Sequence, residues 1–168
     1  MNLKKSFLII LLILLIDQFS KVYIKLHFPL TLYGETALLD WGWFKILFVE
    51  NKGMAWGTKL NDILPFIQER TGKLILTLFR VLVVPIIFYW LYDSIRKNTN
   101  KLLPFCLSLI LAGALGNILD SVFYGYLFTD SYYNIASFSP GNGYESFLHG
   151  NVVDMLQFPM FTWEWPVW

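Results

Sequence analysis

The chain has 168 residues, of which 56% are hydrophobic and only 15% are charged. Soluble domains average about 25% charged residues, so this composition predicts an integral membrane protein rather than an ordinary soluble domain. The formal net charge of +1 provides no basic surface for nucleic acid, and we exclude that class of partner. The length suits a single membrane domain over residues 1–168.

An apolar run near the N-terminus predicts the first membrane span, over residues 7–26. It supplies about the 20 residues that a helix needs to cross a bilayer. A cleaved signal peptide is the alternative, but no Ala-x-Ala cleavage site follows the run and apolar residues resume after Lys21. Lys4 and Lys5 precede the run, so the positive-inside rule places the N-terminus in the cytoplasm.

Asp17 and Lys21 are charged residues inside this predicted span. They lie four positions apart, so they share a helix face and can form an ion pair. An acidic residue in a membrane span is a candidate functional group, because placing it in lipid is costly. An ion pair that only fixes the position of the helix is the alternative, and both interpretations remain open at this point.

Residues 27–72 are only intermittently hydrophobic, which predicts an extracytoplasmic segment. Residues 43–49 are strand-like, and residues 50–53 have the composition of a turn. Residues 61–70 favour a short amphipathic helix that Pro65 would start or interrupt. We therefore expect a small sheet and an interfacial helix on the membrane surface, anchored at headgroup level by Trp41, Trp43 and Trp56.

Two further apolar runs predict a second span over residues 73–92 and a third over residues 102–124. Arg96, Lys97 and Lys101 lie between them and indicate a short cytoplasmic loop. The second run contains Arg80, another charge within a predicted span.

The third run ends in a small-residue stretch that carries two polar side chains. Gly113 and Gly116 favour close packing against another helix. Asn117 and Asp120 are three apart and share one helix face. Hydrogen bonding between helices and a role in a functional site are both open for this pair.

Residues 125–168 follow the third span and are therefore expected outside the membrane. Residues 126–150 are rich in Gly, Ser, Asn and Tyr and are typical of a loop. The polar segment 147–155 comes next and carries Asp154, a carboxylate that we expect in a loop at the membrane edge. His149 is interpreted as a loop residue, because no metal-ligand spacing accompanies it. We expect no metal and no organic cofactor.

Four short motifs, in order along nearly the whole chain, resemble those of the bacterial lipoprotein signal peptidases (signal peptidase II). Each motif is modest alone, but four in this order argue against coincidence. The insertion rich in Tyr, Ser and Asn before His149 resembles the version found in Bacteroidetes-type bacteria. The motifs are Asp17-Gln18-x-x-Lys21, Asn51-x-Gly53-x-Ala55-x-Gly57, Gly113-Ala114-Leu115-Gly116-Asn117-x-x-Asp120 and Gly150-x-Val152-Val153-Asp154.

The resemblance implies an α-helical membrane fold with four spans, of which this chain carries three, and a small extracytoplasmic sheet. It implies an intramembrane aspartic endopeptidase that removes signal peptides from diacylglyceryl-modified prolipoproteins, cutting just before the lipidated cysteine. Such an enzyme would be a multi-pass protein of the bacterial inner membrane with its active site on the periplasmic side. It would use no cofactor, contact prolipoprotein and membrane lipid, and act as a monomer. A catalytically inactive protein that only binds lipopeptide is the alternative.

The resemblance also assigns roles to particular residues. In that family the catalytic pair is the aspartate of the Gly-x-Val-Val-Asp motif, here Asp154, and an aspartate in a later Phe-Asn-x-Ala-Asp motif. The 168 residues end before that motif, so we expect this chain by itself to have little or no peptidase activity. Ser121 stands where many members have Arg. The residues expected to bind substrate or to support the site are Asn117, Asp120, Asn51, Gly53, Asp17 and Lys21.

Overall fold

The computed structural model describes residues 1–30, 37–53 and 58–159. Within these residues, three helical segments are long and apolar enough to cross a membrane: Leu3–His27, Glu69–Arg96 and Leu102–Leu127. The three predicted runs, 7–26, 73–92 and 102–124, lie inside these segments. The expected membrane α-helical class is confirmed, while the limits of each span within its helix stay a prediction.

Helix α1 (Leu3–His27) has clear signals at both ends. The side chain of Asn2 accepts a hydrogen bond from the Lys5 N–H at 2.9 Å and caps the first turn. At the other end, the N–H of Phe28 bonds to the carbonyl of Ile24. The capped helix has 25 residues, which is more than the roughly 20 that a span requires.

The third membrane-crossing segment is not a uniform α-helix. Helix α4 (Leu102–Leu119) runs into a π-helical turn (Asp120–Tyr124), which is followed by the short helix α5 (Gly125–Leu127). Single π-turns inside helices are frequent at functional sites, because the wider turn re-aims neighbouring side chains. This turn presents Asp120 and Ser121 at the outer end of the bundle.

One of the two glycines in the small-residue stretch faces α1. A side chain at Gly116 would collide with the Asp17 carboxylate, which would then have to move from its present position. A side chain at Gly113 would meet nothing. The expected packing surface is therefore present at Gly116 and absent at Gly113.

The predicted sheet is present and has three antiparallel strands in the order β1-β2-β3: Leu39–Asp40, Lys45–Asn51 and Val152–Gln157. Asp154 lies opposite Val49 in the register of β2 and β3. The expectation of a loop at Asp154 is therefore wrong. Its strand pairs with one that is a hundred residues earlier, and short-range patterns carry no signal for such pairing.

The elements between the sheet and the second span differ in extent from those predicted. The strand predicted over 43–49 runs over 45–51, so the expected turn at 50–53 begins two residues later. Helix α2 (Leu60–Ile63) is a single turn instead of the predicted helix over 61–70. A proline ring clashes with the residue before it and disfavours the helical conformation of that residue. Leu64 precedes Pro65, so α2 ends at Ile63. Helix α3 (Glu69–Arg96) then begins.

The expected tryptophan anchors are described only in part. Trp41 and Trp43 are exposed at the β1–β2 hairpin, where their rings neighbour Phe44 and Phe158. Trp56, with Ala55 and Gly57 of the second motif, lies outside the described residues. Anchoring at headgroup level stays a prediction.

Two separate apolar cores hold the described chain together. One packs α1, α3 and α4 within the bundle, through Ile10, Leu91, Leu107, Leu111 and Ala112. The other joins the outer end of α1 and the π-turn to the sheet, through Ile24, Phe48, Tyr124, Phe128 and Val153. Because Val153 belongs to the second core, the strand that carries Asp154 is fixed against the helix ends.

Candidate functional site

Asp120 is the centre of a buried polar cluster where α1, the π-turn and β3 meet. Lys21 Nζ lies 2.8 Å from its Oδ2, and Gln18 Nε2 donates to its Oδ1 at 3.0 Å. The N–H of Val153 donates to Oδ2 at 3.1 Å. The carboxylate has no exposed surface, so its described contacts hold the Asp154 strand against two helices. That is one of the supporting roles expected for Asp120.

Lys21 is shared between two carboxylates and an amide. Besides Asp120, its Nζ lies 3.1 Å from Asp17 Oδ2 and donates to Asn117 Oδ1 at 3.3 Å. The Asp17–Lys21 pair expected from the four-residue spacing is therefore present. Asp17 also accepts from Gln18 Nε2 at 3.0 Å, so its carboxylate is held in place on the helix by two donors.

Asp154 is exposed on β3 and is held by one amide. Asn51 Nδ2 donates to Asp154 Oδ2 at 3.0 Å. The N–H of Gly53 donates to Asn51 Oδ1 at 2.9 Å. Because the amide oxygen of Asn51 accepts from Gly53, its NH₂ group is the part that faces the carboxylate. Three predicted site residues thus form one connected set.

An open groove of about 700 Å³ lies beside Asp154. Five of the seven predicted site residues line it: Asp17, Lys21, Asn51, Asn117 and Asp154. The other two lie behind it, Asp120 in the buried cluster and Gly53 in the turn after β2. Apolar and charged surfaces meet in this groove, and the charged lining includes both acidic and basic side chains. The apolar part of its wall comes from Val49, Val153, Met155 and Leu156.

Arg80 approaches the same region from α3, a contact that sequence reasoning missed. Its Nη1 donates to Ser121 Oγ at 2.8 Å, and its Nη2 donates to the Gly53 carbonyl at 3.0 Å. The sequence marked Arg80 as a charge within a span but carried no sign of its partners.

A second buried network, also missed, ties the outer loop to the sheet. Lys25 is fully buried, pairs with Glu50 Oε1 and donates to Ser131 Oγ at 2.7 Å. Glu50 Oε2 in turn accepts from Asn151 Nδ2 at 2.8 Å. The spacing of the lysines could have indicated this network, because Lys25 lies four residues after Lys21 and therefore on the same face of α1. Glu50 precedes Asn51, so this network supports the residue that holds Asp154.

Burial by itself would raise the pKa of Glu50, but the Lys25 charge and the hydrogen bonds from Lys25, Asn151 and Ser131 outweigh it and hold the pKa below its usual value of 4.5. A lowered folded-state pKa means that the unfolded chain binds the proton more readily. We therefore expect stability from Glu50 that is complete above about pH 4.5 and is lost as the pH falls through the folded-state pKa.

The measurement is the free energy of unfolding in detergent between pH 3 and pH 7, for the wild type and for Glu50→Gln. The difference between the two should shrink toward acid. A difference that is constant across this range would show that the Lys25–Glu50 pair does not supply the pH dependence.

Within residues 1–30, 37–53 and 58–159, no group of three or more His, Cys, Asp or Glu side chains is arranged to hold a metal ion. His149 lies in the loop, where its Nδ1 contacts Ser146 Oγ and the Phe147 carbonyl.

Comparison with known proteins identifies the family. The family model described as signal peptidase (SPase) II matches residues 9–168. The chain belongs to the signal peptidase II family. The resemblance inferred from the four motifs is thereby confirmed.

Relatives of this signal peptidase II chain agree with that assignment. A lipoprotein signal peptidase of Porphyromonas gingivalis, a Bacteroidetes organism, is 41% identical over 162 residues, which cover 95% of this chain and 66% of that protein. The lipoprotein signal peptidase of Amoebophilus asiaticus is 30% identical, covering 98% of this chain and 63% of that protein. The chain thus spans just under two thirds of the length of these relatives.

A solved structure supports the fold. A bacterial membrane enzyme determined at 2.3 Å superposes with a TM-score of 0.60 at 23% identity, covering 99% of this chain and 77% of that one. The arrangement of long helices and a small outer sheet therefore recurs in a known membrane enzyme.

Proposed function

We propose that this protein is an aspartic endopeptidase of the bacterial inner membrane that removes signal peptides from diacylglyceryl-modified prolipoproteins, cleaving before the lipidated cysteine. Membership of the signal peptidase II family supports a protease that processes signal peptides. The observation that carries the aspartic mechanism is the placement of Asp154. Its carboxylate is exposed in a groove at the ends of membrane-crossing helices, and Asn51 holds it there.

The orientation of the groove supports a periplasmic active site. Lys4 and Lys5 precede α1, and the loop between α3 and α4 contains Lys97 and Lys101; the positive-inside rule assigns both regions to the cytoplasm. The sheet packs at the opposite ends of these helices, through Ile24 near the end of α1. We therefore propose that Asp154 faces the periplasm.

Peptide hydrolysis by this route needs two carboxylates that share one proton, because two close acids do not both ionise. The ionised member takes a proton from water as the water attacks the scissile carbonyl, and the protonated member donates to the carbonyl oxygen. Asp154 supplies one member of this pair, and Asn51 Nδ2 orients its carboxyl group by donating to Oδ2. The second carboxylate is expected from a Phe-Asn-x-Ala-Asp motif, which the 168 residues do not contain.

The test is cleavage of a purified precursor by the complete product of the gene, reconstituted in lipid vesicles. The precursor is offered in two forms, with and without the diacylglyceryl group on its cysteine. We expect cleavage of the lipidated form immediately before that cysteine and no cleavage of the other form. Equal cleavage of both forms would overturn the proposed substrate class, and lipopeptide binding without cleavage would overturn the proposed activity.

A further inference from the structure

Arg80 is a cation within a membrane-crossing helix that the proposed mechanism leaves without a role. Placing such a charge in a membrane span is costly, and residues of this kind face protein or water. Arg80 is partly buried, and its two hydrogen-bond acceptors belong to different segments of the chain. We propose that Arg80 is a positioning residue for Asp154, holding in register the two segments that bracket this carboxylate. This inference rests on the proposed function.

The first segment is the turn after β2. Arg80 Nη2 donates to the carbonyl of Gly53, and the N–H of Gly53 donates to Asn51 Oδ1. Asn51 Nδ2 donates to Asp154 Oδ2. An unbroken chain of hydrogen bonds therefore runs from the guanidinium to the carboxylate, and each link fixes the orientation of the next. Without the Arg80 contact, the Gly53 carbonyl loses its described hydrogen bond to α3.

The second segment is the π-turn and the chain that leads from it to β3. Arg80 Nη1 donates to Ser121 Oγ, and the carbonyl of Ser121 accepts the N–H of Gly150 at 2.8 Å. Next to Ser121, the Asp120 carboxylate accepts the N–H of Val153. The Gly150 and Val153 hydrogen bonds thus fix the start of β3 to the π-turn. Arg80 therefore bonds to Ser121, the residue whose carbonyl holds the chain that leads into the Asp154 strand.

The chemistry of the side chain explains why arginine occupies this position. A guanidinium carries its donors in a rigid planar fork and can bond two acceptors in fixed directions, whereas a lysine ammonium is a single point of charge. Arg80 lies close enough to the Asp154 and Asp120 carboxylates to be attracted by their charges. A lysine would keep this attraction, but its single nitrogen would have to reach both acceptors at once and would not fix their directions as the planar fork does.

The experiment compares Arg80→Gln and Arg80→Lys with a matched control, Arg70→Gln, in the complete protein in lipid vesicles. Arg70 lies on the same helix and is exposed, and its partners Glu145 and Ser146 do not line the groove beside Asp154. We expect Arg80→Gln to lower kcat for the lipidated precursor by about 100-fold with KM nearly unchanged, because misplaced catalytic groups cost on this order. Arg80→Lys should fall between Arg80→Gln and the wild type, and Arg70→Gln should match the wild type.

Amide hydrogen exchange supplies a measurement that does not require turnover. Peptides covering residues 45–53 and 150–157 should exchange faster in Arg80→Gln, while the rest of the chain is unchanged. If the wild type cleaves nothing, the proposed function fails, and exchange alone decides on Arg80: faster exchange confined to these peptides supports the inference, and unchanged exchange overturns it.

Two further outcomes separate this inference from the proposed function. A wild type that cleaves, beside an Arg80→Gln variant with unaltered kcat or with a change in KM alone, overturns the role of Arg80 and leaves the peptidase intact. If Arg80→Gln exchanges faster everywhere, the fold has been lost and Arg80→Lys decides. A folded lysine variant with wild-type kcat and wild-type exchange overturns the inference, and a reduced kcat with local loosening supports it.

Discussion

Replacing Asp154 with Asn abolishes cleavage of a lipidated precursor while the protein remains folded in the membrane; this is the largest effect that we expect. The change removes the ionisable group but keeps the size of the side chain and an oxygen that can accept from Asn51. Loss of an essential group in a hydrolase lowers kcat by about 10⁴-fold or more. Asp154 is exposed, so the free energy of unfolding should stay within about 0.5 kcal/mol of the wild type. The measurements are precursor cleavage and unfolding in detergent, made on the complete gene product.

Asp17→Asn is the matched comparison for this prediction. Asp17 lines the same groove but is paired with Lys21 and bonded to Gln18. Its loss should act mainly on stability, lowering the free energy of unfolding by about 1 kcal/mol, as expected for a partly exposed ion pair. Equal loss of folding in both variants would identify Asp154 as part of the scaffold and remove it from the mechanism.

Removing the Asp120 carboxylate has the largest effect that we expect on stability. Asp120→Ala leaves the buried ammonium of Lys21 without its nearest partner and deprives Gln18 and the Val153 N–H of an acceptor. Breaking a buried ion pair from one side typically costs about 3–5 kcal/mol. Lys21 keeps its contact with Asp17, so the lower end of that range is expected. The measurement is unfolding in detergent, followed by tryptophan fluorescence.

Asp93→Ala is the control for the Asp120 variant. Asp93 pairs with Lys97 at 2.8 Å near the end of α3, where the lysine side chain is 67% exposed. Exposed pairs of this kind contribute at most about 1 kcal/mol. If the two variants were destabilised to the same extent, the cluster around Asp120 would not be what holds β3 against the helices.

Local patterns in the sequence predicted the helical part of the fold. Apolar runs of about 20 residues indicate spanning helices, and a four-residue spacing brings Asp17 and Lys21 together. Both patterns depend only on residues that are close together in the sequence. The same patterns singled out Asn117 and Asp154, and the motif resemblance added Asn51 and the catalytic role of Asp154. The structure places these three residues along one groove.

The contacts that build the site lay beyond such patterns. Gln18 and Asp120 bond across 102 positions of sequence, and Lys25 and Ser131 across 106. Strand β3 follows a Gly-rich loop and has no strict alternation of polar and apolar residues, so its sequence does not mark it as a strand. It becomes a strand because β2 offers it a partner edge. The sequence likewise shows only that Arg80 is a costly charge within a span. No neighbouring residue indicates that its acceptors are Gly53 and Ser121.

The π-turn at residues 120–124 changes the direction in which the side chains of the following helical residues point. A regular α-helix advances about 100° per residue, so one extra residue in a wide turn offsets the outer end of the third span by roughly that angle. The same turn carries Asp120, which accepts from Lys21 and Gln18, and Tyr124, whose hydroxyl donates to Gln18 Oε1. Deleting a single residue from this turn would rotate the residues after it by about 100° relative to α1 and would separate Tyr124 from Gln18.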